Sequence, residues 1–170
     1  MDEKLSGNIR KWCALILAVF LYYVIHEGSH LIIALLYGVF QKIRLLGPGV
    51  QVVIDTESLT ENQLIIFSLA GGAGTLIAAW IFTALTPFFT KIKNKLFRAV
   101  GYYTTIVMMF VDPIYLSFLY RFFGGGDMNG ILLSGLPEIA LQIIFGAVGT
   151  VHILIFWKWV HPLYKKSFEH

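Results

Sequence analysis

The side chains with the clearest chemical potential lie in five consecutive residues, His26-Glu27-Gly28-Ser29-His30, which we call the histidine motif. On a helix, two histidines four positions apart project from one face, and their imidazoles can bind the same zinc ion. The glutamate between them points about 100° around the helix, where it can reach a metal-bound water without being a ligand. The spacing therefore predicts half of a zinc centre together with a general base.

The histidine motif has an unusually apolar setting. Residues 12–25 before it and residues 31–40 after it contain almost no polar side chains. A charged side chain near the centre of a membrane helix costs at least about 2.5–3.5 kcal/mol on insertion scales, so such groups tend to be kept for a function. We therefore expect the motif to act inside a membrane-spanning helix.

The composition also indicates an integral membrane protein. The chain has 170 residues, of which 57% are hydrophobic and 14% charged, and its mean hydropathy is +0.73. A soluble domain is about half apolar and about a quarter charged. The net charge of +3 is small, and the basic residues cluster between apolar segments as in membrane loops, so we expect no nucleic-acid partner. The single Cys13 excludes an internal disulfide and a cysteine-based zinc site.

The apolar segments predict an all-α membrane protein with about four transmembrane helices in one domain over residues 1–170. The first helix is predicted at residues 12–37, with Gly38 as its stop and residues 1–11 as a short tail or interfacial turn. At about 1.5 Å per residue, it is long enough to cross a hydrocarbon core of about 30 Å. We expect a multi-pass protein of the cell membrane.

A short β-hairpin is predicted after the first helix. In residues 39–55, apolar side chains alternate on both sides of the turn sequence Gly47-Pro48-Gly49. Unpaired strand edges are not tolerated against lipid, so the hairpin should lie at the membrane interface or pack against protein.

The three later helices are predicted at residues 61–89, 96–123 and 131–160. Thr60 and Gln63 have the spacing of a capping box that would start the second helix. Pro113 should kink or break the third helix. The second helix also carries glycines that let neighbouring backbones approach closely, namely Gly71, Gly72 and Gly74.

The distribution of lysine and arginine predicts the orientation. The side shared by the two termini and the second loop holds Lys4, Arg10, Lys11, Lys91, Lys93, Lys95, Arg98, Lys158, Lys165 and Lys166. The opposite side holds only Lys42, Arg44 and Arg121. The positive-inside rule then favours cytoplasmic termini and a histidine motif toward the opposite face.

A catalytic zinc site usually takes three protein ligands and keeps a fourth position for water or substrate, so a third donor is needed. The candidates are Asp112, Asp127, Glu138 and His152. Asp127 is favoured because it follows a triple glycine, and irregular backbone is tolerated in membranes where it lines a wet cavity. Asp112, beside Pro113, is the alternative third ligand. We expect His152 to hydrogen-bond a neighbouring helix, and Glu138 to orient a ligand or line a polar path.

These motifs resemble those of the site-2 protease family of intramembrane zinc metalloproteases, and particularly its small, minimal branch. The resemblance covers about residues 12–144. It is carried by the histidine motif followed by Tyr37-Gly38, by Ser68-Leu69-Ala70-Gly71-Gly72, and by Gly125-Gly126-Asp127.

The resemblance implies a single transmembrane metalloprotease-like domain that cleaves the transmembrane segment of a protein substrate in the lipid bilayer. His26, His30 and Asp127 would hold one zinc ion, and Glu27 would activate a zinc-bound water. Larger family members place the aspartate in a proline-containing Asp-Gly context, whereas here it is followed by Met128. The family's site generally opens toward the cytosol, opposite to the side that the charge distribution favours.

A different class of function also fits the sequence. The chain could be a non-proteolytic membrane protein with a structural zinc site, or it could conduct metal ions or protons along His26, Glu27, His30 and Asp112. A metal with every coordination position filled by protein would favour the structural role, since catalysis needs an open position. The sequence assigns no oligomeric state.

Overall fold

The computed structural model describes residues 3–46 and 49–169 of the chain. Over these ranges the elements are α1 (Glu3–Leu36), β1 (Phe40–Leu46), β2 (Gly49–Ile54), α2 (Glu61–Ala84), α3 (Thr86–Phe89), α4 (Lys95–Ser117), a 3-10 turn (Leu119–Phe122), α5 (Asp127–Leu132), α6 (Glu138–Ile155), a π-helical turn (Phe156–Val160) and α7 (His161–Glu169). In the described part, four helical spans are long and apolar enough to cross a membrane. The predicted class, an all-α membrane protein with a hairpin after the first helix, is confirmed.

The first helix begins earlier than predicted. α1 starts at Glu3, so the expected tail or interfacial turn is wrong for residues 3–11, and residues 1 and 2 lie outside the described ranges. No proline interrupts this polar stretch, and a helix that is already nucleated gains one hydrogen bond for each residue added. Gly7 and Asn8 therefore stay helical, although each costs up to about 1 kcal/mol relative to alanine.

The predicted stop of the first helix is confirmed. Gly38 has a φ of +70°, a left-handed conformation that favours glycine. The N–H of Val39 donates to the carbonyl of Ala34 at 3.0 Å, and the N–H of Gly38 donates to the carbonyl of Leu35 at 3.1 Å. This pair of bonds is a Schellman motif, which ends α1 and turns the chain into β1.

The hairpin packs against protein, as predicted. β1 and β2 are antiparallel, with Ile43 opposite Val52. Val52 is buried together with Ala34 of α1 and Phe67 of α2. The predicted turn residues 47 and 48 lie outside the described ranges. The hairpin is therefore held beside the segment of α1 that carries the histidine motif.

The second helix starts where the capping box predicts. The Thr60 hydroxyl accepts from the N–H of Gln63 at 3.3 Å, and the Gln63 side chain accepts from the N–H of Thr60 at 3.0 Å. Its predicted end at residue 89 is wrong, because α2 stops at Ala84 and the short α3 follows. Pro87 has no N–H and its ring clashes with the carbonyl four residues earlier, which ends the regular helix.

A kink or break was predicted at Pro113, and α4 continues through this residue without a break. The missing N–H of Pro113 leaves the Met109 carbonyl without its helical partner. His152 of α6 lies with its Nδ1 2.6 Å from this carbonyl oxygen and supplies the donor. The expected hydrogen bond from His152 to a neighbouring helix is thus confirmed. The predicted end at residue 123 is wrong, since α4 stops at Ser117.

The fourth predicted helix is split. The chain forms the short α5, then turns through Gly135 at φ +74°, and α6 begins only after Pro137. The predicted start at residue 131 is therefore wrong, and helical structure continues to Glu169 instead of ending at residue 160. Pro162 cannot donate to the carbonyl of residue 158, and the helix accommodates it with the wider π-helical turn.

The central helix of the bundle is α4, which contacts α1, α2 and α6. In its most apolar window 56% of the residues are buried, against 17% for α1 and 33% for α2. Its buried side chains Met108 and Met109 pack with Ala18 and Tyr22 of α1 and with Ala79 of α2. Any polar group on the inner face of α4 is therefore far from bulk water and needs partners within the protein.

Candidate metal centre

Both histidines of the motif point into the bundle from α1. His26 is 9% exposed and His30 is 3% exposed. Their rings meet edge to face with centroids 4.9 Å apart, and their Nε2 atoms are 3.3 Å apart. The helical spacing of four residues thus brings two imidazole nitrogens to one point, as predicted.

The structure brings Asp127 to the same point from the other end of the chain. Asp127 is the first residue of α5, directly after three glycines with positive φ, Gly124, Gly125 and Gly126. Its Oδ2 atom lies 3.2 Å from Nε2 of His26 and 3.3 Å from Nε2 of His30. In residues 3–46 and 49–169, His26, His30 and Asp127 are the group that could hold a metal ion.

The spacing of these three donor atoms fits a tetrahedral metal ion. With zinc bonds of about 2.0–2.1 Å, neighbouring ligand atoms of a tetrahedral site lie about 3.3–3.4 Å apart. The three separations in the structure are 3.2, 3.3 and 3.3 Å. Two imidazole nitrogens and one carboxylate oxygen are also a donor set that zinc accepts.

The hydrogen bond at Nδ1 of each ring determines whether the Nε2 atom carries a proton or a lone pair. Nδ1 of His30 lies 2.8 Å from the carbonyl oxygen of Phe67, which can only accept, so neutral His30 carries its proton on Nδ1. Nδ1 of His26 lies 3.3 Å from the carboxylate of Asp112, which places the proton of neutral His26 on Nδ1 too. Both Nε2 atoms then face Asp127 with lone pairs.

Three lone-pair donors at such short separations repel one another unless a cation lies among them. The electrostatics of the group thus agree with its spacing in favouring a bound metal cation.

Asp112, the alternative third ligand, contacts the centre differently. Its carboxylate lies on the Nδ1 side of His26, so the imidazole ring separates it from the Nε2 atoms. It also accepts a hydrogen bond from the Tyr22 hydroxyl at 2.6 Å. The structure therefore groups Asp127, and not Asp112, with the two Nε2 atoms.

Glu27 does not join the three donors. Its Oε2 atom accepts a hydrogen bond from the N–H of Val52 in β2 at 2.8 Å. A cavity of about 680 Å³ contains Glu27 in its lining together with His26, His30 and Asp127. The carboxylate predicted as general base therefore shares one cavity with the candidate metal ligands.

The chain matches no protein-family model, no curated protein and no solved structure with which it was compared. The support for the chemistry of the centre therefore comes from its own residues. The metal-ligand roles of His26, His30 and Asp127 and the base role of Glu27 stay predictions.

The cavity lies between α1, the hairpin and α4. Its α4 wall includes Phe110, Ile114 and Tyr115, and β2 contributes residues 49–52. The Tyr115 hydroxyl lies against the backbone of Gly126, directly before Asp127. The lining of the cavity is thus mostly apolar.

Gly71 of α2 contacts the centre although it carries no chemical group. A Cβ atom at this position would overlap Nε2 of His30 and would lie 2.6 Å from Nε2 of His26. The backbone of α2 therefore lies in close contact with the two nitrogens, and only glycine leaves room for them. The sequence predicted close helix contact at this glycine but not its contact with the metal donors.

Two further residues near the centre were missed. Tyr22 and Thr75 both donate to Asp112. Tyr22 is detectable in principle, because it precedes His26 by four residues and so lies on the same helix face. Thr75 gives no such signal, since its approach depends on how α2 packs against α4.

Glu138, the remaining candidate, lies elsewhere. Its carboxylate accepts from the Arg121 guanidinium at 3.0 Å and from the Tyr120 hydroxyl. Gln142 also donates to this hydroxyl at 2.9 Å. These bonds tie the 3-10 turn to α6, so Glu138 orders the segment before the glycine loop and does not contact the donor group.

Proposed function

We propose that this chain is an intramembrane zinc metalloprotease that hydrolyses a peptide bond in or near a transmembrane segment of a protein substrate. One observation carries the proposal: three lone-pair donors converge at tetrahedral spacing in a cavity that is also lined by the Glu27 carboxylate. His26, His30 and Asp127 hold one zinc ion, and Glu27 is the general base.

Three protein ligands favour a catalytic zinc ion over a structural one. Structural zinc sites usually have four protein ligands, whereas catalytic sites keep a position for water or substrate. A bound zinc ion polarises a carbonyl group and lowers the pKa of water toward neutrality. The donor group in the described residues supplies three ligand atoms, which supports the enzyme and not the structural alternative.

The hydrogen bonding of Glu27 suits a general base. The Val52 N–H holds one carboxylate oxygen, so the side chain is oriented while its second oxygen stays free to take a proton. Glu27 takes this proton from the attacking water and returns it to the leaving amine nitrogen. Because Glu27 directly follows a ligand, the helix fixes its distance from the centre.

The free edge of β2 offers a way to bind an extended substrate. The N–H of Val52 points to Glu27 and not to Ile43, its partner in β1, so this is the side of β2 that faces the cavity. Backbone groups alternate along a strand, so those of Val50 point to the same side. An unwound substrate segment can pair there as an added strand, which presents its carbonyls to the centre.

The metal proposal is tested by metal analysis of the full-length protein purified in detergent. We expect one zinc ion per chain, and we expect its loss in His26→Ala, His30→Ala and Asp127→Ala. His161→Ala is the matched control, since His161 bonds Tyr102 and lies outside the donor group. A wild-type protein without metal, or variants that keep it, would contradict the proposal.

The protease proposal is tested by reconstitution into liposomes with tagged single-span polypeptides, some with a Gly-Pro pair in the membrane segment. We expect cleavage, faster for segments with the pair because they unwind more easily. Glu27→Gln should keep zinc and abolish cleavage, whereas Glu57→Gln in an exposed loop should cleave normally. Cleavage that survives Glu27→Gln would rule out the mechanism.

A further inference from the structure

Asp112 is a carboxylate buried at the centre of the bundle. It is 4% exposed and lies on the inner face of α4. A buried carboxylate is costly unless its oxygens are hydrogen-bonded. Its partners come from two other helices, since Tyr22 and His26 belong to α1 and Thr75 belongs to α2.

The Thr75 hydroxyl has three possible acceptors for its one proton. This hydroxyl lies 3.2 Å from the carbonyl oxygen of Gly71 and 3.0 Å from that of Gly72, and it also contacts the Asp112 carboxylate. A hydroxyl has one proton, and an ionised carboxylate is the strongest of the nearby acceptors. Thr75 therefore donates to Asp112, and does so from the turn of α2 that begins with Gly71.

The two histidines of the centre are supported unequally. His30 is held by a backbone carbonyl, that of Phe67, which no substitution removes. His26 is held by the side chain of Asp112. Carboxylate partners of ligating histidines fix the ring orientation and raise the basicity of the other nitrogen. The affinity of the centre thus depends on one buried side chain that is not a ligand.

We propose that Asp112 is a positioning residue for the metal, and this proposal rests on the proposed function. Asp112 holds His26 with Nδ1 protonated and Nε2 turned to the centre. Tyr22 and Thr75 hold Asp112 in turn. Removing the charge of Asp112 weakens metal binding even though all three ligands remain.

A purely structural role is the competing explanation, because the same bonds also join three helices. Asp112→Asn keeps size and an acceptor but removes the charge, and Asp112→Ala removes both. Tyr22→Phe and Thr75→Val leave the contact between Asp112 and His26 in place.

The matched controls remove the same groups elsewhere. Tyr102→Phe removes a hydroxyl that contacts His161, and Thr83→Val removes a buried hydroxyl that faces Met109. Neither residue contacts the donor group or Asp112.

The measurement is zinc affinity of the full-length protein in detergent, by competition with a chromophoric chelator. We expect affinity to fall about 10-fold in Asp112→Asn and about 100-fold in Asp112→Ala. Tyr22→Phe and Thr75→Val should lose only a few-fold, and both controls should match wild type. The visible absorption bands of the Co²⁺-loaded protein should shift in Asp112→Asn, because the ligand field of His26 changes.

The outcomes separate this inference from the proposed function. If wild type binds zinc and both Asp112 variants bind it equally well, the inference is wrong and the metal centre stands. If the controls weaken binding as much as Asp112→Asn does, a structural role explains the loss and the inference is also wrong. If wild type binds no zinc, the proposed function itself fails. Should Asp112→Ala not fold, Asp112→Asn and its Co²⁺ spectrum decide.

Discussion

The two halves of the candidate metal centre are held in place by different means. His26 and His30 lie on the 34-residue helix α1, and each imidazole is fixed through Nδ1 by a hydrogen bond. Asp127 has no such support in the described residues, where the polar partners of its side chain are the two histidines. The helical half is thus positioned by side-chain bonds and the loop half by its backbone.

The backbone of the loop half is anchored by the packing of α5. Met128 and Ile131 are buried in a cluster with Leu116 of α4. A Cβ on Gly130 would overlap the Ser68 hydroxyl, so α5 lies in close contact with α2. Glycines, which have no reactive side chain, therefore allow the two halves to approach each other. Substitution of single glycines can test this directly.

The largest effect is expected for Gly71→Ala, which places a methyl group where the two Nε2 atoms meet. We expect zinc affinity to fall more than about 100-fold, because neither buried ring has room to move away. Gly72→Ala is a matched control on the same helix, since its Cβ would have Leu116 Cδ1 as its nearest neighbour, at an ordinary 3.6 Å. Equal zinc affinity in both variants, measured by chelator competition, would contradict the contact between α2 and the centre.

The helical half of the centre was more predictable from sequence than the loop half, because both of its ligands lie on one helix. A spacing of four residues fixes which side chains share a helix face, so His26 and His30 could be paired without knowing the fold. The glycines before Asp127 indicated irregular backbone, but the choice between Asp127 and Asp112 depends on how α4 and α5 pack against α1. That arrangement joins residues about 90 positions apart and has no local signature.

Proline effects illustrate the same limit. Pro113 and Pro137 carry the same local preference against helix, but a kink or break was predicted only at Pro113, and Pro137 was placed inside the predicted fourth helix. α6 begins only after Pro137. α4, however, continues through Pro113, because His152 donates a hydrogen bond to the Met109 carbonyl that the proline leaves without a helical donor. Only the tertiary fold supplies that donor, so the effect of Pro113 on α4 could not be predicted from the neighbouring residues in the sequence.

A smaller effect is expected for Gly126→Ala, in the loop half. Gly126 has a φ of +45°, and its Cβ would overlap the Tyr115 hydroxyl. We expect zinc affinity to fall about 10-fold or more, since the backbone must shift and Asp127 moves with it. Adding Tyr115→Phe should restore part of the affinity, because it removes the overlapping oxygen.

Gly124→Ala separates backbone strain from this overlap. Gly124 has a φ of +79°, and a Cβ there has no neighbour within 4 Å. It should therefore cost only the strain of a left-handed residue, about 1–2 kcal/mol in the free energy of unfolding, with zinc affinity preserved. If Gly124→Ala and Gly126→Ala weaken zinc binding equally, the loop half is set by glycine flexibility and not by its contact with Tyr115.

The smallest effect on the metal centre is expected away from both halves, at the bond between His152 and the Met109 carbonyl. His152→Leu should lower the free energy of unfolding in detergent by about 1–3 kcal/mol, because the buried carbonyl then lacks any donor. Zinc affinity should change little. Pro113→Ala supplies the missing N–H within α4, so His152→Leu should cost much less in that background. A double-mutant cycle measures this difference, and additive costs would show that His152 does not compensate for the proline.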